Sequence, residues 1–314
     1  MTEKYGRREF FRKGAGLGLS TALGSSVLTT LSKASTSSTA PDITVAAGGD
    51  YLKNTMKAVE MMGGMKAFVP KGSKVAILPN VQSRHPGTFT GPDVLRAVIR
   101  MCKEAGAAEV NCLSGLTQKH WEDCGLLAVV QEERAVPKLV PQEEANFAAV
   151  FLPMGKAIKE VRLMKELSTH DVFLNLPITK DHIGTRFTGT LKNMMGLNSR
   201  ANNRNFHKEN WKTDPNDIGF LEQCIADLNT VIRPALCIVD ATSFISTNGP
   251  MGPGELSKPQ KVVVGRDRVA IDTYCASLLG LKPAEVGVLK MAVEHGLGRM
   301  DLSKIKVSET TLIS

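Results

Sequence analysis

Apolar and polar positions follow two alternating periods along this chain. Continuous apolar runs occur in "GSKVAILPNV", "AEVNCLS", "FAAVFLPMG", "HDVFLNLP", "ALCIVDATS" and "KVVVG", with a last short run in "LSKIKVSE". Runs of this length, bounded by turn residues, read as buried strands. Between them the apolar positions recur at helical spacing. In "TGPDVLRAVIRMCKEAGA", Leu95, Val98, Ile99 and Cys102 form one stripe, Pro92 sits in the first turn and Gly106 closes the helix. Asp50 to Met62, "DPNDIGFLEQCIADLNTVI", "RVAIDTYCASLLG" and "KPAEVGVLKMAVEHGLG" carry the same signature. Strands alternating with helices predict an α/β fold, a mostly parallel or mixed sheet with helices on both faces. Function in such sheets gathers at the carboxyl ends of the strands. That rule selects the segments after Pro177, Val239 and Val264.

The N-terminus breaks this pattern. "GRREFFRKGAGLGLSTALGSSVLTTLSKAS" pairs Arg7 with Arg8, adds Phe10, Phe11, Arg12 and Lys13, then runs through a weakly apolar stretch from Gly14 to Leu31. Ser32-Lys33-Ala34 supplies the small residues a signal peptidase reads. This is the layout of a twin-arginine export signal over residues 1–34, with cleavage expected after Ala34. The expected location is the periplasm or another extracytoplasmic space, and the twin-arginine translocase is the expected transport partner. A stable transmembrane anchor needs roughly 20 predominantly apolar residues, and this stretch is too rich in Gly, Ser and Thr. Residues 35–314 are expected to form one α/β domain, with two lobes as the alternative. The signal holds six basic and two acidic residues, so it accounts for half of the formal net charge of +8. The basic balance is thus largely a targeting device and points to no nucleic-acid partner.

The six cysteines show no C-x-x-C spacing and sit mostly in apolar runs. A ferredoxin-type iron–sulfur cluster, which needs closely spaced thiolates, is not expected; buried thiols packing as small hydrophobes are.

Candidate chemistry concentrates in "NLPITKDHIGTRFTGTLKNMMG", Asn175 to Gly196. Lys180, Arg186 and Lys192 offer positive charge, Asn193 an amide and His182 a titrating imidazole. Thr188 is placed to cap the short helix "GTLKNMMG", whose free amides favour an anion. Gly184 and Gly189 suit close approach of backbone to a ligand. Asp240 ends the next strand before a Gly/Pro-rich loop, where it can orient a histidine, bind a metal or cap a turn. Asp267 is placed to cap a helix. Asp272, inside an otherwise apolar helix, demands a partner, with the cations of the first segment as candidates. His295 falls at a helix C-terminus, where a capping role is expected.

"LNLPITKDHIGTRFTGTLKNMMG", "IVDATSFISTNGP", "VVVGRDRVAIDTYCASLLG" and "EHGLGRMDLSKIKV" together resemble the family catalogued as domain of unknown function 362, and span most of Lys74 to Val307. Some relatives in that family carry an added iron–sulfur module, which is not expected here. "HIGTRFTGTLKNMMG" followed by His207 is also similar to the corresponding segment of nickel-pincer lactate racemases. That resemblance implies His182 as proton-transfer catalyst, Lys192 as covalent anchor of a pincer cofactor and His207 as nickel ligand. The segment departs from that pattern at Gly189-Thr190 and Met195-Gly196, and His85 or His120 would have to supply a second base.

The sequence therefore leads to an exported α/β enzyme, of racemase, isomerase or other small-molecule type, acting on a small anionic carboxylate. His182, Asp240 and Asp272 are the candidate catalytic groups. Lys180, Arg186, Lys192 and Asn193 are candidates for holding the anion or a cofactor, and His207 for a metal. A non-catalytic periplasmic binding protein for a ligand or metal, or an accessory partner of a redox complex, are the alternatives.

Overall fold

The computed structural model describes residues 40–313, so the expected export signal and its cleavage position lie outside the described residues. The fold begins with β1 (Ile43–Ala47) and α1 (Tyr51–Met61), whose first turn is capped by Asp50 accepting from the Lys53 amide at 3.0 Å. β2 (Lys74–Pro79), α2 (Pro92–Glu104) and β3 (Glu109–Ser114) form a strand–helix–strand unit. α3 (Gln118–Asp123), α4 (Leu126–Glu132) and β4 (Val136–Leu139) follow. β5 (Phe147–Phe151) and β6 (Glu160–Met164) pair only with each other, so "FAAVFLPMG" is a strand, as expected, but of a side ribbon. After β7 (Val172–Leu176) comes a second ribbon, β8 (Lys180–His182) with β9 (Arg186–Thr188). It leads into α5 (Thr190–Asn193), α6 (Arg200–His207) and α7 (Pro215–Asn229). β10 (Leu236–Ala241) is followed by the two-residue strands β11 (Phe244–Ile245) and β12 (Leu256–Ser257), then β13 (Lys261–Gly265), α8 (Arg268–Leu278), α9 (Gly287–Glu294) and β14 (Val307–Thr311).

The main sheet has eight strands in the order β14-β1-β13-β10-β7-β2-β3-β4. All point one way except β13, which runs against both β10 and β1. No crossover helix separates β10 from β13, and a connection of that kind suits antiparallel partners. The reversal corrects one expectation. The segment after Val264 leaves from the edge opposite to the one reached after Pro177 and Val239. Those two, with the end of β2, define the edge on which the candidate side chains meet.

Strand side chains alternate between two apolar cores. Ala76, Leu78, Phe173, Cys237, Val239 and Val263 belong to one, covered by α5, α7, α8 and α9. Val75, Ile77, Leu174, Ile238, Val262 and Val264 belong to the other, covered by α1 to α4. Helices thus lie on both faces of the sheet. All six cysteines are buried and unpaired. Among the described residues no helix is long and apolar enough to cross a membrane.

Candidate functional site

β8 carries the first two candidate side chains, Lys180 and His182. Side chains alternate along a strand, so Lys180 and His182 share its buried side while Asp181 faces the other way. Asp181 Oδ2 accepts from the Gly249 amide at 2.8 Å, and the Ile183 amide donates to Gly249 O at 3.1 Å. The loop around Gly249 is thereby tied across the ribbon.

Lys180 is 0% exposed. Its Nζ donates to Thr88 O at 2.6 Å and to Asn80 Oδ1 at 3.2 Å. Asn80 Nδ2 in turn donates to Asn193 Oδ1 at 3.1 Å, and Asn193 Nδ2 donates to Asn175 Oδ1 at 2.8 Å and Leu78 O at 3.0 Å. Asn175 Nδ2 ends the chain on Thr190 O at 3.0 Å. The backbone carbonyls of Leu78 and Thr190 accept only, which fixes Asn193 and Asn175 with their Nδ2 toward them. Every other amide orientation follows. The ends of β2 and β7 are thus wired to α5 by three buried amides. Asn80 and Asn175 were not singled out in the sequence. The available signal was a polar residue inside the apolar run "VFLNLP", which must find partners when buried.

His182 is 1% exposed, and its Nδ1 accepts from the amides of Gly184 at 3.2 Å and Thr185 at 3.1 Å. With Nδ1 occupied as an acceptor, the neutral ring carries its proton on Nε2. Burial, then the charges of Lys192, His207 and Lys180, hold His182 far below the usual imidazole range. His207, in the last turn of α6, has the opposite tautomer: Nδ1–H donates to Asn203 O at 2.7 Å, leaving Nε2 bare. Burial and then Lys192 push its pKa down to about 4. The two rings meet through Trp211, with centroids at 5.2 Å from His182 and 4.8 Å from His207. The segment Arg200–Lys212, whose composition suggests a solvated face, instead packs on the site through Phe206, His207 and Trp211. Gly184 admits this packing, since a Cβ there would collide with the Trp211 carbonyl oxygen. Its smallness serves protein packing, and so does that of Gly189, which faces Phe187 and Asp272.

Lys192 is partly buried on α5, with Nζ 3.7 Å from Met195 Sδ. Burial lowers its pKa to about 7 against an opposing pull from Glu222. Lys180 is lowered to about 7 as well, by burial and then by Lys192. Among the described residues no carboxylate comes within ion-pair distance of either amine. Glu222, also unflagged in the sequence, is raised by burial and accepts from the Gly287 amide at 3.1 Å.

The two candidate aspartates have other work. Asp272 accepts from the Thr190 amide at 2.6 Å through Oδ1 and from the Leu191 amide at 2.9 Å through Oδ2. It therefore caps α5 from a distant helix. Thr188, expected in that role, makes no such bond and Gly189 occupies the cap position. Burial lifts Asp272 to about 6, against the pull of those two amides. Asp240 accepts from the Gly91 amide at 2.6 Å, at the start of α2, and from the Thr242 amide and hydroxyl at 2.9 and 2.7 Å. Both acids accept from backbone amides in this geometry, and for Asp272 these amides stand where a cation partner was expected. Asp267 caps α8 at the Ala270 amide, as expected. Arg186 stands apart: 51% exposed, it pairs with Glu285 at 3.0 Å on the surface. His295 lies at the end of α9, and its ring meets Asp227 at 2.8 Å.

His85 and His120 line an open groove of about 260 Å³ with Ser83, Arg84, Asp123 and Met251. Among the described residues no three His, Cys, Asp or Glu side chains converge as a metal would require. The cluster brings together two amines, one imidazole N–H donor and one bare imidazole nitrogen, near enough that the charge of Lys192 acts on the other three.

Fold and cluster define an α/β protein with two lysines and two histidines gathered at the carboxyl ends of parallel strands. The chain belongs to the family described as "Domain of unknown function (DUF362)", whose profile matches residues 75–277. It is 28% identical over 256 residues to the thylakoid-associated protein sll1697 of Synechocystis sp., covering 80% of this chain and 76% of that protein. Among solved structures it is similar to the lactate racemase apoprotein of Thermoanaerobacterium thermosaccharolyticum, with a TM-score of 0.43 and 15% identity. That match covers 62% of this chain and spans about half of the racemase structure, 49%.

Proposed function

We propose that this protein is an enzyme acting on a small carboxylate, held by Lys192 and Lys180. The observation that carries the reading is the pair of amines, one wholly buried, with no carboxylate in ion-pair contact with either among the described residues and only the more distant pull of Glu222 on Lys192. A buried cation without a counter-ion costs stability unless an anion binds beside it. Perturbed groups gathered at a strand edge are where a site is expected. His182 then serves as a neutral N–H donor to the substrate, and the bare Nε2 of His207 as the proton acceptor.

The pH dependence follows in sign from the lowered amines. An anion beside a lysine stabilises its charged form, so binding above pH 7 requires proton uptake. Carboxylate affinity should be greatest below pH 7 and fall by about tenfold per pH unit for each proton taken up. Calorimetry with acetate, lactate and succinate in buffers of different ionisation heat measures both quantities. Lys192→Ala should cost about 1.5–3 kcal/mol of affinity, the range for hydrogen bonds to charged groups. Pockets indifferent to all three anions, or binding that is unchanged between pH 6 and 9, would remove the reading. Exchange of substrate carbon-bound hydrogen for solvent deuterium separates an enzyme from a passive binder.

We also propose that the protein works outside the cytoplasm, delivered by the twin-arginine translocase. The Arg7–Arg8 pair and the weakly apolar run after it support this. Arg7→Lys with Arg8→Lys should leave folded precursor in the cytoplasm, and normal fractionation of that variant would contradict the route.

A further inference from the structure

We propose that Lys180 is a covalent nucleophile, forming an imine with the carbonyl carbon of a small oxo-carboxylate whose carboxylate rests on Lys192. The inference builds on the anion site and goes further by naming the substrate's second functional group.

The geometry begins with the two bonds of Lys180. Thr88 O and Asn80 Oδ1 both accept, and Asn80 cannot turn its Nδ2 toward the lysine without breaking its bond to Asn193. A neutral amine has two N–H bonds and one lone pair. Here both N–H bonds are engaged, so the lone pair takes the remaining direction. The ammonium form would carry a third N–H, for which no acceptor is supplied among the described residues. Nothing nearby favours that form either. The side chain is wholly buried, without a carboxylate, and a second lysine stands close enough to disfavour its charge. Desolvation beside another cation is a recognised way of making a lysine nucleophilic near neutral pH.

The chemistry balances without a redox partner. The Nζ lone pair attacks the carbonyl carbon, forming the C–N bond and breaking the C=O π bond. The resulting carbinolamine loses its oxygen as water. Both protons of that water are the ones given up by nitrogen, and the product is the C=N bond. The loop over residues 246–254 is tied down beside β8, by Asp181 and Ile183 at Gly249 and by Ser83 Oγ, which donates to Met251 O at 2.7 Å. Met251 is 47% exposed at its tip.

The test uses the purified protein with pyruvate and sodium cyanoborohydride, which reduces an imine to a stable secondary amine. Intact mass should rise by one pyruvate less one oxygen, and peptide mapping should place the addition on Lys180. The pH midpoint of trapping should move upward in Lys192→Met, because the neighbouring charge is gone. A role for Lys180 in packing alone would not produce that shift. Propionate, which has the carboxylate but no carbonyl, tests the anion site separately by thermal shift. If propionate and pyruvate both stabilise the protein and Lys180 stays unmodified, the imine is refuted and the anion site stands. If neither ligand shifts the melting temperature, both readings fall together. Addition at other lysines with Lys180 untouched also overturns the inference. Mapping on the wild-type chain keeps the result independent of whether Lys180→Arg folds.

Discussion

Asn193 makes three side-chain bonds at a position 6% exposed: two from Nδ2, to Leu78 O and Asn175 Oδ1, and one to Oδ1 from Asn80 Nδ2. Asn193→Leu keeps the approximate volume and strands all three partners. Each buried polar group left unpaired costs about 1–3 kcal/mol, so the variant should lose about 3 kcal/mol or more in urea unfolding. A loss of only about 1 kcal/mol, the net worth of one ordinary hydrogen bond, would show that the amide chain is not connected as described. Residue identity alone revealed part of this. Lys180, His182, Lys192 and His207 were visible as titrating groups after a buried strand. Asn80, Trp211 and Glu222 were not, because their roles exist only through partners distant in sequence. Arg186 pairs with His182 across the ribbon, yet its backbone is left-handed, with φ 59°, and its guanidinium reaches Glu285 on the surface, which its place in the sequence does not reveal.

α5 is four residues long, too short to hold itself together. Its first two amides are held by Asp272, 82 and 81 residues further along the chain. Asp272→Ala should therefore destabilise the fold by about 2 kcal/mol or more, with two buried amides opened at about 1–3 kcal/mol each. It should also abolish the response to carboxylates while Lys192 is still present, because the helix that aims Lys192 has lost its start. Thermal shifts with and without acetate check both. A destabilised variant with a full acetate response would show that α5 keeps its shape unaided. Sequence periodicity cannot find such an element. Four residues show no stripe, and the local candidate cap, Thr188, looks adequate until the distant carboxylate is seen in its place. Long elements were legible for the opposite reason: α2 and α8 carry their own apolar faces and their own starts, Pro92 and Asp267.

For the whole molecule, strand–helix alternation was enough to foresee the α/β class and the covered sheet. Strand direction was not foreseeable at β13, since a buried apolar run reads the same in either direction. That one reversal moved the loop after Val264 away from the site edge. The order of the strands has a consequence in time. β1 lies between β13 and β14, and the bond from the Lys306 amide to Asp42 joins residues 264 apart. β1, the first strand among the described residues, therefore waits for β13 before it has a neighbour on one side and for β14 on the other. Contacts of such separation form slowly, because the loop between them must be closed first. Until then Ile43–Ala47 is an apolar strand with both edges open, a form prone to pairing with the wrong chain. Synthesis of this protein thus has a vulnerable interval whose length is set by translation, and it ends only when β13 and β14 arrive.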